Sequence, residues 1–164
     1  LENNYTTYLT IEQAKNKLEH FCAYQERCHT EVTSKLFNLK ISSSYHDEII
    51  VHLIENNFLN EERFACSFAR GKHRISSWGR SRIIAELKLR KISSFLIKKA
   101  MQEITDEMYF ESFEKIATQK WITLTDEDIN KKAQKLIGFL HRKGYEMEFI
   151  LDKITELKNT TEEP

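Results

Sequence analysis

Turn-forming residues are scarce in this chain. Its 164 residues include four Gly and one Pro, the final Pro164, which leaves little material for β-hairpins or for Gly-rich loops that cradle phosphates. Cysteine is equally sparse. Cys22, Cys28 and Cys66 are odd in number and form no CxxC pair, so a disulfide framework is not expected and the thiols read as reduced, cytosolic ones. No apolar run approaches the ~20 residues that cross a bilayer, and Leu1 to Tyr8 lacks the basic-then-apolar pattern of an export signal. The chain starts at Leu1 rather than Met, so further residues upstream are expected. HExxH, P-loop and GxSxG strings are absent, which gives no support for an enzyme or a cofactor. The six histidines, His20, His29, His46, His52, His73 and His141, show no metal-ligand spacing, and no metal is expected.

What the chain does have is apolar surface and charge. Apolar residues make up 40% of it, with 10 Phe, 6 Tyr and 2 Trp, enough to offset the entropy of ordering one compact domain or a short repeat array. Without turn residues, that core is expected to be all-helical. The formal net charge is zero, but the charges are unevenly placed. From Arg63 to Lys99 there are eleven basic residues and one acid, Glu86. Acids gather instead in Glu103 to Glu114, Asp126 to Asp128 and the tail. A basic middle between acidic ends would attract a polyanion or an acidic protein groove; a merely solvated helical face is the alternative.

Internal similarity sets the organisation. Val32, Leu36 and Ile41 recur as Ile83, Leu87 and Ile92, and again as Leu136, Leu140 and Tyr145. Each set spans the end of one amphipathic stretch and the start of the next. A period near 50 residues implies stacked supersecondary units whose neighbours complete the core, and the length accommodates three helices per unit. An irregular helical bundle is the alternative. Start signals support the count: a T-x-x-Q capping box at Thr10 and Gln13, Thr30, the Ser42 to Ser44 cluster, Asn60 followed by Glu61 and Glu62, Ser93, Thr105, and Thr125 with Asp128. The expected division is residues 1–9 as an N-terminal extension, 10–58, 59–104 and 105–157 as three-helix repeats, and 158–164 as a disordered tail.

The middle repeat is the candidate binding surface. On the helix from Asn60, Phe64 and Phe68 are expected to face the core, with Arg63, Ser67, Arg70 and Arg74 on the adjoining face. On the next helix Arg82 can pair with Glu86. Trp78 is expected in the core. Arg80 and Arg82 stand in a first helical turn, where cations oppose the helix dipole; with the free amides of that turn they could hold a phosphate or carboxylate.

Glu62-Arg63-Phe64-Ala65-Cys66-Ser67-Phe68-Ala69-Arg70, followed by Trp78-Gly79-Arg80-Ser81-Arg82-Ile83-Ile84-Ala85-Glu86-Leu87, resembles the bacterial RecX family, regulators of the RecA recombinase. The likeness extends through Glu26-Arg27 and Val32 to Leu36 before this core and Phe139 to Tyr145 after it. It implies three tandem three-helix repeats in an elongated, curved array, and a non-enzymatic cytoplasmic role. The protein would bind the groove of the RecA–DNA filament, limit its growth, and so inhibit strand exchange, ATP hydrolysis and coprotease activity. Single- or double-stranded DNA would be contacted weakly or as part of the filament. A monomer is expected, with no membrane partner. General DNA binding by helix-turn-helix-like units, independent of RecA, is the alternative, and docking to an acidic protein partner is a third reading. By motif match the binding residues are Arg63, Arg70, Arg80 and Arg82; the local charge adds Lys72, Arg74, Lys88, Arg90 and Lys91. These nine are expected to form one cationic wall. Lys40 and Lys91 stand where the family usually has a helix-ending Gly, a position that Gly144 keeps.

Overall fold

The computed structural model describes residues 9–162, with side chains through Thr160. These residues are all-helical and contain no strand. The helices are α1 (Ile11–Tyr24), α2 (His29–Asn38), α3 (His46–Glu55, preceded by a 3-10 turn at Ser43–Tyr45), α4 (Glu61–Ser76), α5 (Arg80–Leu89), α6 (Ser94–Met101), α7 (Asp106–Thr123), α8 (Ile129–Lys143) and α9 (Met147–Glu162). The chain is a helical repeat array, as the recurrence of apolar triplets predicts.

Most starts follow from local side-chain chemistry. The Thr10–Gln13 capping box forms, the Asn60 side chain accepts from the Arg63 amide, and Ser93, Thr105 and Asp128 each satisfy amides of their own first turn. Helix α2 starts earlier than Thr30 suggests: the cap is Cys28, whose N–H donates to the Glu31 carboxylate at 3.2 Å. Asp128 alone, not Thr125, caps α8.

All nine residues of the recurring triplets are buried, and the three corners share one geometry. Lys40, Lys91 and Gly144 each adopt positive φ, at 56°, 59° and 91°. Each is followed by a backbone bond closing the helix end, Ile41 to Leu36, Ile92 to Leu87 and Tyr145 to Leu140, at 3.1–3.2 Å. The two lysines therefore keep the corner that glycine makes, at the steric cost of a Cβ in left-handed backbone, ~1–2 kcal/mol. Relieving it is offset in part by the entropy glycine adds to the unfolded chain. Lys91→Gly is accordingly expected to stabilise the fold by about 0.5–1 kcal/mol, read as a higher urea midpoint at unchanged m-value.

Two cores form. One comprises Ala14, Leu18, Cys22, Val32, Leu36, Ile41, Ile49, Leu53 and Leu59, from α1 to α3 and the segment after it. The other runs without a break through α4 to α9, from Phe64 to Leu157, and takes in Cys28 from the start of α2. The expected boundaries are shifted at both ends. Leu9, expected in the extension, packs on the first core; residues 1–8 lie outside the described residues. The tail expected to be disordered from residue 158 is helical to Glu162. Its last turns are held by Lys158 Nζ donating to Asn130 Oδ1 at 2.9 Å and by Thr160 Oγ1 donating to the Glu156 carbonyl. Residues 163 and 164 lie outside the described residues.

Candidate partner-binding surface

The middle helices place the nine predicted cations in three different settings rather than on one wall. Arg63, Arg70 and Arg80 are braces. Arg63 pairs with Glu26 at 2.6 Å and donates to the side chain and carbonyl of Asn57, tying α4 to the segments on either side of the first core. Arg70 pairs with Glu103 at 2.6 Å, and that carboxylate raises the guanidinium's pKa above its ordinary value. Arg80 pairs with Asp106 at 2.6 Å, donates to the Ile104 carbonyl, and lies 4.2 Å over the Tyr109 ring. Acids from the flanking segments have folded onto the basic middle and neutralised part of it. Beyond the nine, Lys99 is similarly paired with Glu62 at 2.6 Å.

Lys72, Arg82 and Arg90 form a second set, built around two rings. Lys72 Nζ lies 5.5 Å from the Phe68 ring and 4.9 Å from Trp78. Arg82 covers Trp78 at 4.0 Å, and Arg90 covers Phe68 at 4.9 Å. The rings stand edge to face, 6.4 Å apart. Arg90, Phe68, Lys72, Trp78 and Arg82 thus make a continuous run of alternating cations and aromatic faces, an arrangement that holds charge beside flat apolar surface. It borders a groove of about 270 Å3 lined by Phe64, Ser67, Phe68, Gly71, Lys72 and Ile75, among others.

This set departs from the sequence reading in three respects. Phe68 and Trp78 are half-buried rather than interior. Glu86 pairs with Arg90 at 2.6 Å, not with Arg82, which instead donates to the Arg142 carbonyl at 3.0 Å. Lys72 and Arg74, two residues apart, point roughly 200° from one another around α4. Arg74 accordingly lies on a different groove, with Glu111 and Lys115 of α7. Arg74, Lys88 and Lys91 are exposed. Lys91 lies beside Thr30, Ser34 and Phe37 of the first repeat.

The anion site expected at the start of α5 is closed by backbone. Gly79 N–H donates to the Lys143 carbonyl at 2.7 Å and Ser81 N–H to the Gly144 carbonyl at 3.2 Å. The carbonyl end of α8 therefore meets the amide end of α5, which matches opposite ends of two helix dipoles. Lys143 Nζ completes the junction by donating to the Ser76 carbonyl at 2.8 Å. A Cβ on Gly79 would lie 2.3 Å from the Gly144 oxygen, and one on Gly144 would lie 2.4 Å from the Arg82 Cβ. The close approach explains why glycine occupies both positions. What offsets cations in the first turn of α5 is this junction, with Arg80 turned to Asp106 and Arg82 to a carbonyl of α8.

Other polar groups are satisfied structurally. His73 is buried with its ring nitrogens 2.9 Å from the Trp78 carbonyl and 3.2 Å from that of Met108. His46 is buried against the Ile41 carbonyl, and His52 meets Glu19 at 2.6 Å. Burial pushes the Cys22 thiol up to about 11 and raises those of Cys28 and Cys66, opposite to what a reactive thiolate requires. Among the described residues no group of His, Cys, Asp and Glu is placed to hold a metal ion, and no helix is long and apolar enough to cross a membrane.

Comparison with known proteins converges on one family. Residues 60–101 match the family model for the second three-helix domain of RecX. Over 148 residues the chain is 25% identical to the regulatory protein RecX of Leuconostoc mesenteroides, covering 88% of this chain and 55% of that one. Over 154 residues it is 23% identical to the regulatory protein RecX of Oceanobacillus iheyensis, covering 94% and 56%. The chain thus spans about half the length of the curated relatives it matches. Its fold superposes on the crystal structure of RecX from Lactobacillus salivarius with a TM-score of 0.75 at 26% identity, over 92% of this chain and 97% of that one. A second crystal structure of regulatory protein RecX shares the fold, with a TM-score of 0.79 at 19% identity. The matched domain is the stretch that carries the cation–aromatic run and the start of the Gly79 junction, and in both sequence and fold the chain is similar to RecX proteins.

Proposed function

We propose that this chain is a non-enzymatic regulator that binds the RecA–DNA filament in the cytoplasm and limits its growth, and with it strand exchange, ATP hydrolysis and coprotease activity. The three repeats, the first extended to take in Leu9 and the last running to Glu162, serve as units of a monomer, the middle one making the central contact. The observation that supports this reading is the run Arg90–Phe68–Lys72–Trp78–Arg82, lying within the segment that matches the second RecX domain. Cations seated on rings keep their charge outward while losing little side-chain freedom on binding, which suits an acidic groove or a phosphate backbone.

Arg63, Arg70 and Arg80 act in this scheme as positioning residues, since acids already engage their guanidinium groups; Glu86 engages Arg90 in the same way, which leaves Lys72 and Arg82 to carry the charge of the run. Arg74, Lys88 and Lys91 contribute long-range attraction from other faces. The discriminating measurement is fluorescence binding to a RecA nucleoprotein filament beside bare single-stranded DNA of the same length. The filament is expected to bind at least tenfold more tightly; equal affinity would indicate a general DNA-binding protein and overturn the filament reading.

A further inference from the structure

A second cation–aromatic patch lies on the first repeat, outside the basic middle. On α1, Lys17, His20, Phe21 and Tyr24 follow 3-, 1- and 3-residue steps that bring them to one face. Lys35 and Leu39 from α2 and its end close the other side of the same shallow groove, of about 350 Å3, and none of its six lining residues is acidic. Arg27 sits 3.9 Å over the Phe21 ring and Lys35 5.4 Å from it. The Arg27 side chain is further held by donating to the Phe21 carbonyl at 3.4 Å. Beside these anchored cations the Tyr24 ring is 87% exposed, more so than any other large apolar side chain described.

An exposed ring beside fixed cations has a specific complement. Phosphates would suit Lys17, Arg27 and Lys35, and an unstacked base would suit the face of Tyr24. The patch is also continuous with the middle unit. Phe21, Arg27 and Lys35 line a further groove, of about 690 Å3, whose lining includes Leu89 and Arg90 and also the acids Glu31 and Glu86, the latter paired with Arg90, and Arg90 is the first member of the run over Phe68. We propose that the α1–α2 face binds single-stranded nucleic acid, with Tyr24 as a base-stacking platform and Lys17, Arg27 and Lys35 as phosphate contacts. A strand would then run from the first repeat toward the middle one. The inference deepens the filament reading by assigning a nucleic-acid contact to a part of the chain that the reading leaves idle.

The test uses the intact chain without RecA. Fluorescence anisotropy is measured with an oligothymidylate, with an abasic strand of equal length, and with polyglutamate. Tyr24→Leu, at a fully solvated site, is expected to weaken oligothymidylate binding about tenfold, in line with the loss of one stacked base, while abasic binding is unchanged. Lys17→Gln with Lys35→Gln is expected to weaken both strands. Unchanged oligothymidylate binding by Tyr24→Leu, or polyglutamate bound as tightly as the oligomer, would overturn the proposal, the latter in favour of an acidic-protein dock. Because RecA is absent, failure here leaves the filament measurement to stand or fall by itself.

Discussion

Gly79→Ala is expected to destabilise the protein by about 3–5 kcal/mol and to lower its Tm by roughly 10–15 °C. The new methyl group would sit 2.3 Å from the Gly144 oxygen, 2.4 Å from its carbonyl carbon and 2.7 Å from the Tyr145 nitrogen. All three are backbone atoms and cannot rotate aside. The start of α5 must then withdraw from the end of α8, breaking the Gly79–Lys143 and Ser81–Gly144 hydrogen bonds. Each bond lost at a water-poor site leaves a donor and an acceptor unsatisfied, at ~1–3 kcal/mol. Gly71→Ala is the control: nothing lies within 4 Å of the added Cβ, so in mid-helix it should stabilise by roughly 0.5–1 kcal/mol. Thermal and urea melts followed by circular dichroism distinguish the two. Similar melting of both variants would mean that the junction is loose.

Reversing two cations of the middle unit one at a time is expected to separate binding from bracing. Among the described residues the Lys72 ammonium group forms no ion pair and lies over the Phe68 and Trp78 rings, so Lys72→Glu should cost about 0.5–1 kcal/mol of stability. Its effect on association is larger, because a two-unit change of charge at the centre of the run acts directly on a polyanionic partner, and filament affinity should fall roughly 10- to 100-fold. Arg80→Glu behaves the other way. It removes the Asp106 pair, the Ile104 carbonyl contact and the stack on Tyr109, and it sets a carboxylate against Asp106. A loss of about 2 kcal/mol is expected, partly relieved by an acid at the start of α5. Inhibition should then fall only in proportion to the unfolded fraction.

The fold was legible in the sequence because its signals are local and repeated. Leu36, Leu87 and Leu140 are buried in each repeat, and corner geometry survives replacement of Gly by Lys40 and Lys91 because helix closure, not the residue type, dictates it. The site was legible in part. The spacing of Phe68 and Lys72, four apart, could have shown that they share a face, and likewise Lys17, Phe21 and Tyr24. What no local pattern shows is which acid reaches which base. Glu26, Glu103 and Asp106 lie 37, 33 and 26 residues from the arginines they neutralise, so the excess of basic residues overstated the charge displayed. Similarly, the amides at the start of α5 read as free because their acceptors, Lys143 and Gly144, are more than sixty residues downstream.

The most direct test titrates the wild-type chain, Lys72→Glu and Arg80→Glu into RecA filaments on single-stranded DNA and follows ATP hydrolysis at a temperature where all three are folded. The cation–aromatic run predicts that Lys72→Glu needs at least ten times more protein for half-inhibition while Arg80→Glu stays within about twofold of wild type. Full inhibition by Lys72→Glu, with activity lost instead in folded Arg80→Glu, would contradict the assignment and place the contact at the start of α5.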